Sequence, residues 1–264
     1  MPAGGSRTAL PVSPVSGTQS RGFVVSIKPD LSFSPLGDCA LLLEVGDHAD
    51  PATISRVRAL ADYFAKLSLP GVLDFVPALC TIGVHYDPEQ WLDESGTRTP
   101  YEMLVERIQA ALPEESKLAL SQGPLREIPV CYELGFEEDL AALASAHGLS
   151  SDQVIRIHSA AVYSVYMIGF APGFAYLGPL DERLISPRRE TPRARVPAGS
   201  VAVANQYTGI YPAELPGGWH VIGRTPLQLF DPMDDQPSLL SAGDRVQFVP
   251  IGEAEFRKLR SRKR

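Results

Sequence analysis

The sequence predicts an α+β fold in two globular parts, a small α+β sandwich followed by a β-barrel. In the first half, strand-like apolar runs alternate with two amphipathic helices. In the second half, short strand-like segments are separated by Gly/Pro turns, a pattern typical of a closed barrel with peripheral helices. The chain has 264 residues, 44% of them hydrophobic and 21% charged, so it can bury ordinary cores without disulfides or metals.

The predicted N-terminal part covers residues 23–122, with its elements in the order strand, strand, helix, strand, strand, helix. Asp50 and Pro51 begin the first helix as its cap and first residue, and the pair Thr99 and Glu102 forms a capping box for the second. Such an order suits helices on one face of a mostly antiparallel sheet. Residues 1–22 are rich in Ser, Thr, Pro and Gly and contain no acidic group, so we expect a disordered tail.

The predicted barrel covers residues 125–255. It starts with a strand over 126–132 and two short helices, and the later strands follow in order over 162–170, 200–204, 219–222, 227–230 and 245–249. The helices are predicted over 137–147 and 151–160, the second with Ser150 and Gln153 as a capping box. Residues 256–264 hold six basic and no acidic groups, and we expect a basic tail at a solvated helix end.

Charge and composition exclude several classes of function. Without the six bases of the tail, the body carries 18 basic against 31 acidic groups, a net charge of 18 minus 31, or −13. An acidic body repels a phosphate backbone, so we expect no nucleic-acid partner. No apolar stretch is long enough for a membrane helix and the first residues lack the apolar core of a signal peptide, so we expect no membrane partner and a cytoplasmic location.

The sequence also lacks the motifs of several enzyme classes. The sequence contains no P-loop, no dinucleotide-binding glycine fingerprint, no nucleophile elbow and no zincin helix. Cys39, Cys80 and Cys131 lie far apart and form no C-x-x-C pair, so we expect reduced, buried thiols. The five histidines show no metal-ligand spacing, and we predict no metal site.

Candidate functional residues concentrate between His158 and Asp231. His158 lies on the apolar face of its predicted helix. Two interpretations are open for it, a core histidine bonded to a neighbour and a functional histidine. The following motif, Gly169-Phe-Ala-Pro-Gly-Phe-Ala-Tyr-Leu177, forces an irregular backbone beside three aromatic side chains. It therefore predicts a pocket wall that includes Phe170, Pro172 and Phe174.

An arginine-rich segment comes next, between Pro187 and Pro197. It holds four arginines among three prolines, and guanidinium groups bind carboxylate and phosphate in a bidentate manner. This concentration favours an anion site for at least one arginine, with a solvated charge run as the alternative. Further along, the glycine pair Gly217 and Gly218 is compatible with an anion-binding nest or with a hairpin turn. Trp219 is compatible with a ligand-stacking surface or with a position in the core.

Taken in order, the motifs resemble the family of 5-oxoprolinase B subunits, also called allophanate hydrolase subunit 1 or KipI-like. The resemblance covers about residues 31 to 252. It begins at this site with His158 and continues through five motifs, Gly169-Phe-x-Pro-Gly-Phe-x-Tyr-Leu177, Val196-Pro-Ala-Gly-Ser200, Thr208-Gly-Ile-Tyr-Pro212, Pro216-Gly-Gly-Trp219 and Gly223-Arg-Thr-Pro226. Each motif alone is weakly specific, but their common order is specific.

The resemblance implies an N-terminal α+β domain and a C-terminal cyclophilin-like barrel. It also implies ATP-dependent opening of 5-oxoproline to L-glutamate, in a complex with the C and A subunits of 5-oxoprolinase, of which the C subunit is similar to allophanate hydrolase subunit 2. On chemical grounds we expect magnesium with the ATP. Three alternatives stay open, namely inhibition of a sensor histidine kinase, a carboxyltransferase role of the allophanate hydrolase or urea carboxylase type, and prolyl isomerisation by fold analogy alone.

The resemblance also assigns roles to residues. His158 becomes a general acid/base or phosphate contact, and Arg188 and Arg193 grip an anionic group. Gly217 and Gly218 offer backbone donors, and Arg224 adds a further positive charge. The pocket wall is expected to consist of Phe170, Pro172, Phe174, Tyr211 and Trp219.

Overall fold

A computed structural model describes residues 31–114, 123–133 and 135–261. Within these residues the chain forms a four-stranded sheet, a closed seven-stranded barrel and a separate two-stranded ribbon. The predicted fold class and the predicted barrel are therefore confirmed. The expected disordered tail and the last three residues of the basic tail lie outside the described residues, and the domain limits 23–122 and 125–255 stay predictions.

The N-terminal elements follow the predicted order, and they are β1 (Ser32–Pro35), β2 (Ala40–Glu44), α1 (Pro51–Leu67), β3 (Val72–Pro77), β4 (Thr81–Tyr86) and α2 (Pro100–Ala110). The sheet is antiparallel with strand order β1-β2-β4-β3. Asp50 caps α1 by accepting from the N–H groups of Ala52 and Thr53, and the predicted capping box begins α2. Apolar residues of both helices pack on the sheet in one buried cluster.

The second part begins with β5 (Leu125–Cys131), α3 (Leu140–Ala146), α4 (Ser151–Ala160), β6 (Val162–Ile168) and β7 (Ala175–Gly178). It continues with β8 (Arg193–Val196), β9 (Ser200–Ala204), β10 (Tyr207–Ile210), β11 (Leu215–Gly217), β12 (His220–Arg224), β13 (Arg245–Ile251) and α5 (Glu253–Ser261). The barrel order is β10-β7-β6-β13-β5-β12-β9, closed by β9 against β10. The strands β5 and β13 pair in parallel, and β8 and β11 form the ribbon.

Two predicted elements differ from the structure. The predicted strand over 227–230 is reduced to a single bridge between Phe230 and Ser238, since prolines on both sides interrupt any longer ladder. The predicted helix over 137–147 begins only at Leu140, because the Asp139 side chain is bonded elsewhere and does not cap the helix. The capping box of Ser150 and Gln153 at α4 is confirmed.

The N-terminal end of α1 packs against the barrel. Ile54 belongs to the same buried cluster as Tyr166 and Tyr207 of the barrel wall, and Gln206 donates a side-chain hydrogen bond of 3.3 Å to the carbonyl of Ala49. This cluster also contains Trp219, so the wall that supports the N-terminal part continues into the pocket described next. No helix in the described ranges is long and apolar enough to span a bilayer.

Candidate functional site

A cleft of about 240 Å³ lies beside the β8–β11 ribbon. Its lining is mostly aromatic or glycine and proline, with one charged side chain, and consists of Phe170, Phe174, Tyr176, Arg188, Pro192, Tyr211, Pro216, Gly217, Gly218 and Trp219. The structure thus brings together seven sequence-predicted residues that are up to 49 positions apart, from Phe170 to Trp219. A concave, largely apolar site with few polar groups is the usual form of a small-molecule pocket.

Phe174 is the centre of the aromatic wall. Its ring meets Tyr211, Trp219 and Phe170 edge-on, with ring centroids 5.2, 5.6 and 5.4 Å away. Tyr176 packs on the same ring at 5.1 Å. Edge-to-face contacts constrain ring orientation as well as distance, so the wall is a rigid surface whose members hold each other in place.

The loop between β6 and β7 places the outermost ring of this wall. Phe170 has a φ of 74°, a left-handed conformation that is costly for an aromatic residue, and its side chain is 63% exposed. Gly173 also has a positive φ, and a Cβ there would lie 2.7 Å from the Cβ of Phe230. The loop therefore needs glycine at this position, and its tight turn leaves Phe170 at the mouth of the pocket.

Gly217 forms the floor of the pocket against a buried tyrosine. A Cβ at Gly217 would collide with the hydroxyl of Tyr211, which is 1% exposed and has no room to move. Burial raises the pKa of the Tyr211 phenol, although the backbone N–H of Trp219 and two nearby arginines act in the opposite direction. The hydroxyl therefore stays protonated at neutral pH.

Arg188 is the charged residue of the lining, and its segment is tied to the opposite side of the pocket. The Arg189 N–H donates to the carbonyl of Gly218 at 2.8 Å, and His220 donates through Nε2 to the carbonyl of Pro187 at 2.9 Å. Among residues 31–114, 123–133 and 135–261, no carboxylate forms an ion pair with Arg188. Its guanidinium is thus available to an anion.

Arg193 occupies a different environment from Arg188. Its Nη1 and Nη2 atoms donate to Asp139 at 2.7 and 2.8 Å, and its Nε atom lies 2.8 Å from Glu138. The guanidinium is already bound on two sides by carboxylates, which leaves no free edge for a ligand. The anions that the structure gives Arg193 are thus the protein's own carboxylates, and its contact with a ligand anion stays a prediction.

Two further predicted residues lie away from the pocket lining. The Arg224 guanidinium is half-buried over the ring of Phe136, 5.7 Å from its centroid, and its Nε atom has no partner among the described residues. Burial first, and then the charge of Arg260, lower the pKa of Arg224. Pro172 is exposed at the tip of the β6–β7 loop, where it shapes the turn and does not line the cleft.

His158 lies inside the barrel and is fully buried. Its Nδ1 and Nε2 atoms lie 2.9 Å from the hydroxyls of Tyr132 and Thr208, and its ring stacks on Phe248 with centroids 4.5 Å apart. Since Thr208 donates its own proton to the carbonyl of Ala202 at 3.1 Å, it accepts from Nε2–H, and Tyr132 donates to Nδ1. Burial lowers the pKa of His158 to about 3, so the ring is neutral.

This arrangement supports the core-histidine alternative for His158. Both ring nitrogens are used within the barrel, and the ring is enclosed by α4, β6, β10 and β13 residues that do not line the cleft. The structure thus places His158 outside the cleft lining, and its contact with substrate or phosphate stays a prediction. Its partners are 26 and 50 residues away in the sequence, so spacing along the chain does not reveal them.

Three lining residues were absent from the predicted site, although all lie in motifs already noted. Tyr176 is two residues after Phe174 in an extended segment, and that spacing places both side chains on one face. Pro192 lies within the arginine-rich segment, and Pro216 directly precedes the glycine pair. A prediction that extended each motif by its period-two neighbour would have included Tyr176.

Comparisons with known proteins agree with this architecture. Residues 31–240 match the family model described as carboxyltransferase domain, subdomain C and D. The 5-oxoprolinase B subunit of Bacillus subtilis (strain 168) is 39% identical over 223 residues, which cover 84% of this chain and 93% of that protein. The crystal structure of TTHA0988 is similar at a TM-score of 0.68 and 37% identity, over 80% of this chain and only 40% of that longer chain.

A more distant structure shares the fold alone. The Kluyveromyces lactis urea amidolyase matches 87% of this chain and 15% of its own length, with a TM-score of 0.67 at 20% identity. The family model covers most of the chain, and the Bacillus subtilis relative is matched over nearly its whole length. The chain therefore belongs to the carboxyltransferase-domain family that contains the 5-oxoprolinase B subunits.

Proposed function

We propose that the chain is the B subunit of a cytoplasmic, ATP-dependent 5-oxoprolinase. The complete enzyme converts 5-oxoproline, ATP and water to L-glutamate, ADP and phosphate, together with its C and A subunits. The observation that carries the proposal is Arg188, without an ion-pair partner among the described residues, beside a rigid aromatic wall. 5-Oxoproline is a small flat ring with one carboxylate, and these two features match the two surfaces of the pocket.

Each surface has a defined task in this proposal. Arg188 binds the substrate carboxylate through its guanidinium fork, a charge-assisted contact that also fixes orientation. Phe170, which is exposed at the mouth of the pocket, contacts the lactam ring, and the buried rings of Phe174 and Trp219 support this wall from behind and exclude water. Binding through a group remote from the reacting carbonyl positions that carbonyl for attack.

The reaction needs groups that these lining residues do not supply. Ring opening adds a water oxygen to the lactam carbon, breaks the C–N bond and places a proton on nitrogen, with ATP hydrolysis driving the cleavage of a stable amide. None of the ten described lining residues is a carboxylate or a histidine, the usual general bases and Mg²⁺ ligands. The lining fits the substrate and does not by itself fit ATP with Mg²⁺, so the proposal assigns nucleotide binding to the partner subunits.

The proposal is tested by reconstitution. The chain is co-expressed with candidate C and A subunits, and glutamate formed from 5-oxoproline and ATP is measured. Arg188→Ala should lower kcat/KM about 30- to 100-fold, the value of a lost charged hydrogen bond. The matched control is Arg195→Ala, because Arg195 is 81% exposed and its Nε lies 3.7 Å from Glu214. Turnover without this chain, or an unchanged kcat/KM in Arg188→Ala, would contradict the proposal.

Carboxyl transfer is the second candidate, because the matched family model is itself a carboxyltransferase domain. A stable complex that forms no glutamate but moves a carboxyl group from carboxybiotin to an amide acceptor would favour it. A chain that binds a sensor histidine kinase and supports neither reaction would instead favour the inhibitor role.

A further inference from the structure

The segment 187–192 carries Arg188 and Pro192 into the pocket, yet it has no helix or ladder of its own. Within the described ranges, two hydrogen bonds to other segments hold its backbone, one from the Arg189 N–H to Gly218 and one from the His220 ring to Pro187. A segment with so few backbone bonds depends on side-chain contacts for a fixed position. The question is which side chains supply them.

Asp139 makes these contacts from the start of α3. Its carboxylate accepts from Nη1 of Arg189 and from both Nη atoms of Arg193, the latter at 2.7 and 2.8 Å. Arg189 lies within the segment, directly after Arg188, and Arg193 follows the segment at the beginning of β8. A single carboxylate therefore holds the segment at a point next to Arg188 and at its C-terminal end.

Asp139 is itself immobile. Its side chain is 5% exposed, and the Val221 N–H donates to its Oδ2 atom at 2.8 Å while its own N–H donates to the Val221 carbonyl at 2.8 Å. Burial alone raises the pKa of this carboxyl, but hydrogen bonds from Arg193 and Val221 outweigh burial and lower the pKa below its ordinary value. The Asp139 carboxylate is thus charged and is bonded to the backbone of Val221 in β12, a strand of the barrel.

We infer that Asp139 is a positioning residue that fixes Arg188 in the pocket. The Asp139 carboxylate pairs with Arg189 and, together with Glu138, with Arg193, whereas Arg188 forms no ion pair among the described residues. None of the hydrogen-bond partners that the structure gives this carboxylate lines the pocket, so it acts through the segment and not on a ligand. The inference deepens the proposed function, and only its kinetic test depends on that function.

The first experiment measures the position of the segment without any activity. Full-length wild type, Asp139→Asn and the control Asp181→Asn are treated with trypsin under native conditions, and cleavage after Arg188 is quantified by mass spectrometry. Asp139→Asn keeps the shape of the side chain but places N–H donors against arginine donors. We expect about tenfold faster cleavage, since proteolysis follows the population of the open segment. Asp181 pairs with the exposed Arg183, and its variant should stay within about twofold of wild type.

The second experiment measures kinetics in the reconstituted enzyme. Asp139→Asn should raise KM for 5-oxoproline about tenfold with kcat changed less than about threefold, because a displaced Arg188 weakens substrate binding. A merely structural role would instead reduce the amount of active enzyme, lowering kcat with KM unchanged. Asp181→Asn should match wild type in both constants.

Arg189→Met provides a second variant if Asp139→Asn does not fold. Its side chain is 31% exposed, and its loss leaves the Arg193–Asp139 contact intact, so about a threefold rise in cleavage and KM is expected. Wild-type cleavage in a folded Asp139→Asn variant, or faster cleavage with an unchanged KM, would overturn the inference. If Asp139→Asn does not fold, wild-type cleavage in Arg189→Met would overturn it. If the reconstituted enzyme shows no turnover at all, the proposed function fails, and the cleavage experiment still decides the positioning role of Asp139.

Discussion

The barrel contains two clusters of aromatic and polar side chains that differ in whether their polar atoms are satisfied. Around His158, both ring nitrogens are bonded to hydroxyls and the ring stacks on Phe248, all within the closed core. Around Trp219, the charged group is the exposed Arg188, which has no ion-pair partner among the described residues. A group with all its partners inside the fold stabilises the fold, whereas a group without a partner is available to a ligand.

The comparison changes how the candidate residues are ranked. His158 has a strongly lowered pKa, and a perturbed pKa in a cleft is often a sign of catalysis. Here the lowered pKa comes from burial alone, at a position enclosed by the barrel core. Burial and complete hydrogen bonding together indicate a structural histidine, and the predictions below test that distinction in order of expected effect.

The largest effect is expected from His158→Ala. The change leaves the Tyr132 hydroxyl without its partner and opens a cavity beside Phe248, so the free energy of unfolding should fall by about 3 to 5 kcal/mol. Urea denaturation measures it, with the exposed His48→Ala as the control, expected within about 0.5 kcal/mol. A variant that keeps wild-type stability and loses turnover would restore His158 to the active site.

A pH titration of stability separates the same two roles. The pKa of His158 is about 3 in the folded protein against an ordinary 6.5, so between these values the unfolded chain binds a proton that the folded chain does not. Stability should therefore fall as pH falls below 6.5, by up to about 1.4 kcal/mol per pH unit, or about 2 kcal/mol at pH 5.

Other groups also titrate in this range, so the His158 contribution is the difference between wild type and His158→Gln. Glutamine keeps hydrogen-bonding capacity and does not protonate there. Parallel stability curves for the two proteins would show that the ring does not resist protonation, and would contradict its full burial.

Local signals were sufficient to predict most of the fold. The caps at Asp50, Thr99 and Ser150 act within three residues of the helix start, so the sequence alone locates them. The closed barrel followed from short strands between Gly/Pro turns. The helix predicted from 137 was too long because Asp139 is bonded to Val221, 82 residues away, and no local pattern reports such a contact.

Local signals in the sequence predicted only part of the site. Aromatic and glycine motifs keep neighbours in sequence together in space, and they located the wall and the floor of the pocket. The four arginines of residues 188–195 look equivalent in the sequence, yet Asp139 pairs with Arg189 and Arg193, and Arg188 has no ion-pair partner in the part of the chain that the structure describes. Which of these arginines is paired depends on a carboxylate 50 or more residues away, and no local pattern in the sequence reports it.

The third prediction concerns the glycine pair. Gly217→Ala should lower the free energy of unfolding by about 1 to 3 kcal/mol because the new methyl group overpacks the buried Tyr211. Gly218→Ala is the matched control, since its nearest atoms are 3.6 Å or more from the added Cβ. In a double-mutant cycle, Tyr211→Phe should recover part of the loss, as the two changes share one contact. Equal stability of the two alanine variants would contradict the tight floor.

The smallest effect is expected from Arg224→Met, which tests the last predicted anion contact. The contact of Arg224 with Phe136 contributes about 0.5 to 1 kcal/mol, and its buried Nε lacks a partner among the described residues, so removal should change stability by less than about 1 kcal/mol. Because Arg224 lies outside the pocket lining, KM for 5-oxoproline should equal that of wild type, whereas Arg188→Met should raise it. A raised KM in Arg224→Met would mean that the substrate site extends beyond the cleft. In that case, whether an arginine has protein partners would no longer be enough to distinguish a functional from a structural arginine.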